Sequence, residues 1–343
     1  MSATLWTSGH TPWIDRAPVR ARARVIVDND FAGDPDDLYQ LVHHLLSPSV
    51  EIPLVVCSHL REGDPFCPNP DSAEAAEKVV REVFDIMRLA DTGQIVRGSS
   101  HPLTSRTEPQ RSPGAEAIIR EAMREDIELP LFAVFGGGLT ELASAWLIEP
   151  RIAQRMTVAW IGGPEYDGLG WPPAGEASTE YNLNIDILAG QVVFNDSDLV
   201  LWQVPRNMYR QCVVSDGELR HRVAGTGQVG AYLYQAIDRV REMLANHEDE
   251  AITAIVAGGF GETYSLGDSP LVLLTALQSF FQPDTTSSDF VMKPCPRLDD
   301  QGAAQPLLDG RPIRVYTRLD VRLMFEDMFT KIQEFDSWLN DAT

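Results

Sequence analysis

A chain of 343 residues, 44% of them hydrophobic, can bury a sizeable core, and a formal net charge of −22 excludes nucleic acid as a partner, since such partners are held by clustered Lys and Arg. No apolar run reaches the roughly eighteen residues of a membrane span, so no membrane association is expected.

Residues 1–23 read as a polar N-terminal leader without the apolar core of a signal peptide. Val25–Val27 then forms a short β-branched run ending in acids, followed by a helical pattern over Leu38–Leu46. A second run, Ile52–Cys57, leads through a polar loop (Ser58–Asp71) into a helix on which Ala76, Val79, Val80, Val83, Ile86, Met87 and Ala90 recur at helical spacing. Further strands are expected at Ile95–Val96, Leu131–Phe135, Val158–Ile161 and Leu199–Val204, mostly separated by helical patterns. Residues 285–312, rich in Pro, Asp, Gly and Ser, read as a surface loop before a last strand and a C-terminal helix over Val321–Leu339. With no linker, repeat or low-complexity segment, the expectation is one domain over 1–343. Its class is α/β, an open, mostly parallel sheet with helices on both faces and ligands bound beyond the carboxyl ends of the strands. Cys57, Cys67, Cys212 and Cys295 are widely spaced without CxxC pairing, which fits a reduced, cytoplasmic setting.

The densest chemistry is Asp28-Asn29-Asp30-Phe31-Ala32-Gly33-Asp34-Pro35-Asp36-Asp37, five carboxylates in ten residues at the end of the first strand. Crowded carboxylates repel, and a hard divalent cation such as Ca²⁺ relieves that repulsion through several oxygen ligands. The same residues are ordinary turn formers, and Asp36 could serve only as a helix cap. An EF-hand is excluded, because its fifth and twelfth positions hold Ala32 and Tyr39. A phosphatase of the haloacid dehalogenase type also begins with a strand and Asp-x-Asp, but Phe31 follows the second Asp and only three lysines exist (Lys78, Lys293 and Lys331).

The loop resembles the Asp-x-Asp-Pro-Gly-x-Asp-Asp hallmark of the inosine-uridine-preferring nucleoside hydrolases, with two extra residues between the pairs. Three later segments are similar to that family in order: Gly138-Leu139-Thr140-Glu141-Leu142-Ala143, Glu180-Tyr181-Asn182 with Asp186, and Gly267-Asp268-Ser269-Pro270. The resemblance implies Ca²⁺-dependent hydrolysis of the N-glycosidic bond of a ribonucleoside or modified nucleoside, as in purine or pyrimidine salvage. It implies Asp30, Asp37, Asp268 and the Thr140 carbonyl as metal ligands, and Asp30 as the base that activates water. Asp36, Glu180, Asn182 and Asp268 would grip the ribose, with Asp28 supporting the loop from behind. It also implies a homo-oligomer, dimer or tetramer. A protein that binds nucleosides or sugars with little catalysis is the alternative.

The chain departs from the family pattern in several places. Gly33 and Asp34 are the extra residues of the loop, Glu141 replaces an Asn, and Gly267 stands where a His often precedes the final Asp. An expected Asn is missing from 172–176. For the base side, His59 is the candidate acid or substrate contact, beside Arg61, Tyr166, Trp171, Glu262 and Tyr264; His43 and His44 read as packing or solvated residues.

Overall fold

A computed structural model describes residues 5–14, 19–90, 94–173, 179–245, 261–278 and 287–341. Its first six strands are β1 (Ala23–Asn29), β2 (Val50–Cys57), β3 (Ile95–Arg97), β4 (Leu131–Phe135), β5 (Met156–Ile161) and β6 (Val200–Val204). Each lies on an expected run. Their side chains alternate between two apolar cores, one on each face of the sheet: Val25, Val27, Val55 and Cys57 enter the first, and Ile26, Leu54 and Val56 the second. Burial on both faces explains why these strands are apolar throughout rather than alternating with polar residues.

Helices cover both faces. α1 (Asp36–Leu45) and α2 (Ser72–Ile86) pack into the first core, whereas α3 (Pro113–Ala122) and α4 (Thr140–Ile148) pack into the second. α2 starts where Asp71 accepts a hydrogen bond from the Glu74 backbone amide at 2.9 Å, and its Ala76, Val80 and Val83 form the buried stripe.

The remaining strands are β7 (Val213–Ser215), β8 (Thr263–Ser265), β9 (Ser288–Pro294), β10 (Arg297–Leu298), β11 (Ala304–Gln305) and β12 (Pro312–Leu319). The main sheet runs β3-β2-β1-β4-β5-β6-β12-β9, and only its last pair is antiparallel. The chain thus builds outward from β1 to β3 and then returns to the other side of β1 with β4. Connections leave in opposite directions between these two strands, which opens a crevice at their carboxyl ends. Asp28 lies beside Phe135 there, so the aspartate loop and the glycines after β4 face one another.

The loop expected over 285–312 is a difference. Its first two residues lie outside the described set, but 288–294 form the edge strand β9, paired along β12, and 297–298 pair with 304–305. An edge strand needs hydrogen bonds on one side only and tolerates Lys293 and Pro294, so its composition resembles that of a loop. The described part of the leader is also packed. Trp6 is buried against Phe335, with ring centroids 5.4 Å apart, and Trp13 lies 5.4 Å from Trp338 of the C-terminal helix Val321–Asp341.

Candidate active site

A cavity of about 250 Å³ opens at the crevice, lined by Asp30, Asp34, Asp36 and Asp37 from the first loop and by Asp268 from the far end of the chain. The loop is shaped by its own backbone: the Gly33 amide donates to the Asp30 carbonyl at 2.7 Å, and Asp34 accepts from the Asp36 amide at 3.3 Å and from the Tyr264 hydroxyl at 3.0 Å. The extra residues Gly33 and Asp34 therefore form a turn tethered to Tyr264, and Asp36 and Asp37 remain at the start of α1, where the helix dipole favours negative charge.

One carboxylate oxygen from each of Asp36, Asp37 and Asp268 can be chosen so that all three lie within 4.8 Å of one another. Asp268 is fixed by Asn29, whose amide donates to it at 2.5 Å, and its backbone amide donates to Asp36 at 3.2 Å. No Lys or Arg forms a salt bridge with any of these acids among the described residues. Burial, and then the mutual repulsion of the carboxylates, raises the pKa of Asp30, Asp36 and Asp37 well above the usual carboxylate range. Burial lifts Asp268 to about 7. Asp37 Oδ2 is buried without any hydrogen-bond partner. An orphaned carboxylate oxygen facing other carboxylates is the donor set of a hard cation, so these residues fit a divalent metal ion.

The glycines after β4 make room for the acids. A Cβ on Gly136 would lie 2.1 Å from Asp268 Oδ2, and one on Gly137 would lie 2.6 Å from Asp30 Oδ1. Gly136 lines the cavity, and its carbonyl accepts from the side-chain amide of Asn182, which also donates to the Ile161 carbonyl at 2.8 Å. With both amide hydrogens committed to strand ends, the Asn182 carbonyl oxygen is left to meet a ligand.

Other residues singled out from the sequence have different surroundings. Glu180 does not line the acidic cavity. It accepts from the amides of Gly163 (2.7 Å), Leu183 (3.0 Å) and Asn182 (3.2 Å) and from the Tyr209 hydroxyl (2.7 Å), which occupies its lone pairs. Each of its two oxygens accepts two hydrogen bonds, which tie it to Asn182 and Tyr209, both of which line the cavity. Thr140 and His59 also lie away from the cavity lining, joined to Asp186 in a buried chain: His59 Nδ1 donates to the Leu60 carbonyl at 2.8 Å, Nε2 meets Thr140 Oγ1 at 2.9 Å, and that hydroxyl donates to Asp186 at 2.7 Å. Burial holds the His59 pKa below its ordinary value, although the Leu60 carbonyl and Asp186 pull the other way. The strand-end backbone that reaches the cavity is Gly136, four residues before Thr140. Asp28 is fully buried, accepts from Ser58 Oγ at 2.5 Å, and its pKa is raised by burial and by the nearby Glu141.

The residues proposed for the base side also lie elsewhere. Trp171 is 88% exposed and, with Tyr166, borders a separate cavity; Tyr264 is tied to Asp34. Phe66, Tyr181, Tyr209 and Arg210 line the acidic cavity instead. Tyr181 donates to Asp64 at 2.8 Å, and its ring meets Phe66 edge-on at 6.5 Å. The only sequence signals for them were position: Phe66 lies in the loop after β2, and Tyr181 sits inside the Glu-x-Asn segment. Gly267 packs against Tyr209, since a Cβ there would lie 3.3 Å from the tyrosine ring and 3.2 Å from Asp36 Oδ2. Tyr209 thus crowds the position where an imidazole would project.

The sequence pattern of the inosine-uridine preferring nucleoside hydrolases matches residues 25–281. The chain belongs to that family. It is therefore an N-glycosyl hydrolase of the nucleoside hydrolase kind, and the family's dependence on a metal agrees with the acidic cluster. Solved structures share the fold. The inosine-uridine preferring nucleoside hydrolase from Bacillus anthracis is 17% identical with a TM-score of 0.58, covering 91% of this chain and 99% of that one. A plant nucleoside hydrolase is 15% identical with a TM-score of 0.64, covering 91% and 99%. A purine-preferring ribonucleoside hydrolase from Gardnerella vaginalis is 17% identical with a TM-score of 0.63, covering 92% and 99%. No curated protein matches the sequence. Among the described residues no helix is long and apolar enough to cross a membrane.

Proposed function

We propose that this nucleoside hydrolase cleaves the C1′–N bond of ribonucleosides with a Ca²⁺ ion held by Asp36, Asp37 and Asp268, with Asp30 beside them. The observation that carries the metal is the partnerless, buried Asp37 Oδ2 among carboxylates with which no Lys or Arg among the described residues forms a salt bridge. When bound, the ion supplies neutralising charge and makes water acidic enough to be a nucleophile at neutral pH. Asp30, which lines the cavity next to Asp268, accepts the proton of the attacking water. The dense negative charge favours the positive charge that develops on the sugar ring as the bond breaks. The free carbonyl oxygen of Asn182 accepts from a ribose hydroxyl, and Glu180 holds Asn182 in place. Phe66 and Tyr181 offer aromatic surface to the base.

A reducing-sugar assay against paired ribonucleosides and 2′-deoxynucleosides tests this reading. Ribose release from the ribonucleosides, with the deoxy substrates slower by orders of magnitude, is expected, because a buried acceptor is left unpaired when the hydroxyl is missing. Equal rates on both sets would remove Asn182 and the acids from the ribose. Asn182→Ala is expected to lower kcat/KM about a hundred-fold or more, and an unchanged kcat/KM would exclude it from the site.

A further inference from the structure

Resting on this hydrolase reading, we propose that Arg210 is a catalytic residue of the leaving-group side, its guanidinium donating hydrogen bonds to the departing base and stabilising the electron pair left on the base nitrogen.

Breaking the C1′–N bond separates charge: the sugar becomes cationic and the base takes the bonding pair. The five carboxylates that line the cavity favour the cationic sugar. Arg210 is the one cationic side chain among the described residues that line the same cavity of about 250 Å³. Arg210 is exposed at the cavity rim; its guanidinium makes no hydrogen bond or salt bridge to a described residue, and its charge is felt by Glu165, which is already paired with Arg206. Arg206, one helical turn earlier, is committed to Glu165 through two bonds of 2.7 and 2.8 Å. Arg210 is held by its own backbone, whose amide donates to the Arg206 carbonyl at 3.2 Å, and it follows Tyr209, anchored through its hydroxyl to Glu180. The turn is therefore fixed through Arg206 and Tyr209, and the Arg210 side chain leaves it at the cavity lining.

Proton donors are scarce at this site. No histidine is among the described residues that line the cavity, and His59 is locked between Leu60 and Thr140. Tyr181 and Tyr209 give their hydroxyl protons to Asp64 and Glu180, and burial raises both phenols further above their ordinary range. A guanidinium does not release its proton, but it stabilises an anion without doing so. The step balances: water adds its oxygen to C1′ and passes a proton to Asp30, the C1′–N pair moves to the base nitrogen under Arg210, and the base takes a proton from solvent as Asp30 returns one to it. The products are ribose and the neutral base.

The test compares wild type, Arg210→Gln and Arg210→Lys on a ribonucleoside and on 4-nitrophenyl β-D-ribofuranoside, whose leaving group carries negative charge unaided. Arg210→Gln is expected to lose on the order of a hundred-fold in kcat/KM on the nucleoside and less than about five-fold on the nitrophenyl riboside. Arg210→Lys should retain part of the nucleoside activity, and added guanidinium ion should restore part of it to Arg210→Ala. Equal losses on both substrates, or no loss on the nucleoside, would overturn the proposal while leaving the hydrolase reading intact. A wild-type protein that cleaves neither substrate with Ca²⁺ present would sink the hydrolase reading itself, and the proposal with it.

Discussion

At its N-terminal end, helix α1 carries Asp36 and Asp37 into the cavity; at its C-terminal end it carries His43 and His44 into the interior. The histidine end is balanced. His43 Nε2 meets Asp327 at 2.7 Å, the Lys331 ammonium meets the same carboxylate at 2.5 Å and donates to Ser47 at 2.9 Å, and His44 pairs with Thr275 at 2.9 Å and with Gln40. Burial pushes the Asp327 carboxyl up, but the His43 hydrogen bond and Lys331 outweigh it and hold it at about 2. Burial lowers His43 to about 4, so it is neutral at pH 7. The charges left, one ammonium and one carboxylate, cancel. At the aspartate end five carboxylates line one cavity with no salt bridge among the described residues; both ends hold a buried polar atom without a partner, Asp37 Oδ2 here and His43 Nδ1 there, so it is uncancelled charge that sets the aspartate end apart. Buried charge that neutralises itself is architecture, while buried charge of one sign is maintained for something that binds.

Three substitutions can break or sharpen that contrast. The largest effect is expected of Asp37→Ala: activity falls on the order of a thousand-fold or more and calorimetric Ca²⁺ binding is lost. In chelator its melting temperature should equal or exceed that of chelated wild type, since one member of a repelling set is gone. A lower one would mean that Asp37 contributes packing rather than charge. Asp327→Ala should do the opposite. It leaves the buried Lys331 ammonium without its carboxylate, at a cost of about 3 kcal/mol in urea unfolding, while kcat/KM per folded molecule is unchanged.

The smallest effect is the pH slope carried by His43. Its folded pKa of about 4 lies below the ordinary 6.5, so between these values the unfolded chain binds more protons. Its stability contribution is complete above about pH 6.5 and is lost as pH falls towards 4, by up to about 1.4 kcal/mol per pH unit. His43→Gln should flatten this part of the stability curve in urea titrations from about pH 5 to about pH 7. An unchanged slope would assign the proton uptake to His44 or another group.

Much of this was legible in the sequence. β1, β2 and β4 to β6 are apolar runs because both faces are buried, and the aspartate loop announces itself because five acids in ten residues are costly without a purpose. Roles set by partners far along the chain were not legible. Glu180 and Asn182 are two residues apart and read alike, yet one is filled by four donors while the other has an oxygen left over. The Thr140 carbonyl was read as a metal ligand, but the backbone that lines the cavity is that of Gly136, while the Thr140 hydroxyl links His59 and Asp186. Gly136 carries no side chain to notice, and Arg210 is one arginine among 25 until the fold places it at the cavity. β9 was hidden because an edge strand and a loop draw on the same residues.

The central claim is that the aspartate end of α1 works only around a bound cation, and metal removal and return on one sample tests it most directly. Protein stripped with chelator should release no ribose from a ribonucleoside, and adding Ca²⁺ should restore the release together with a rise in melting temperature. Full activity in the stripped protein, or a melting temperature indifferent to Ca²⁺, would contradict the account.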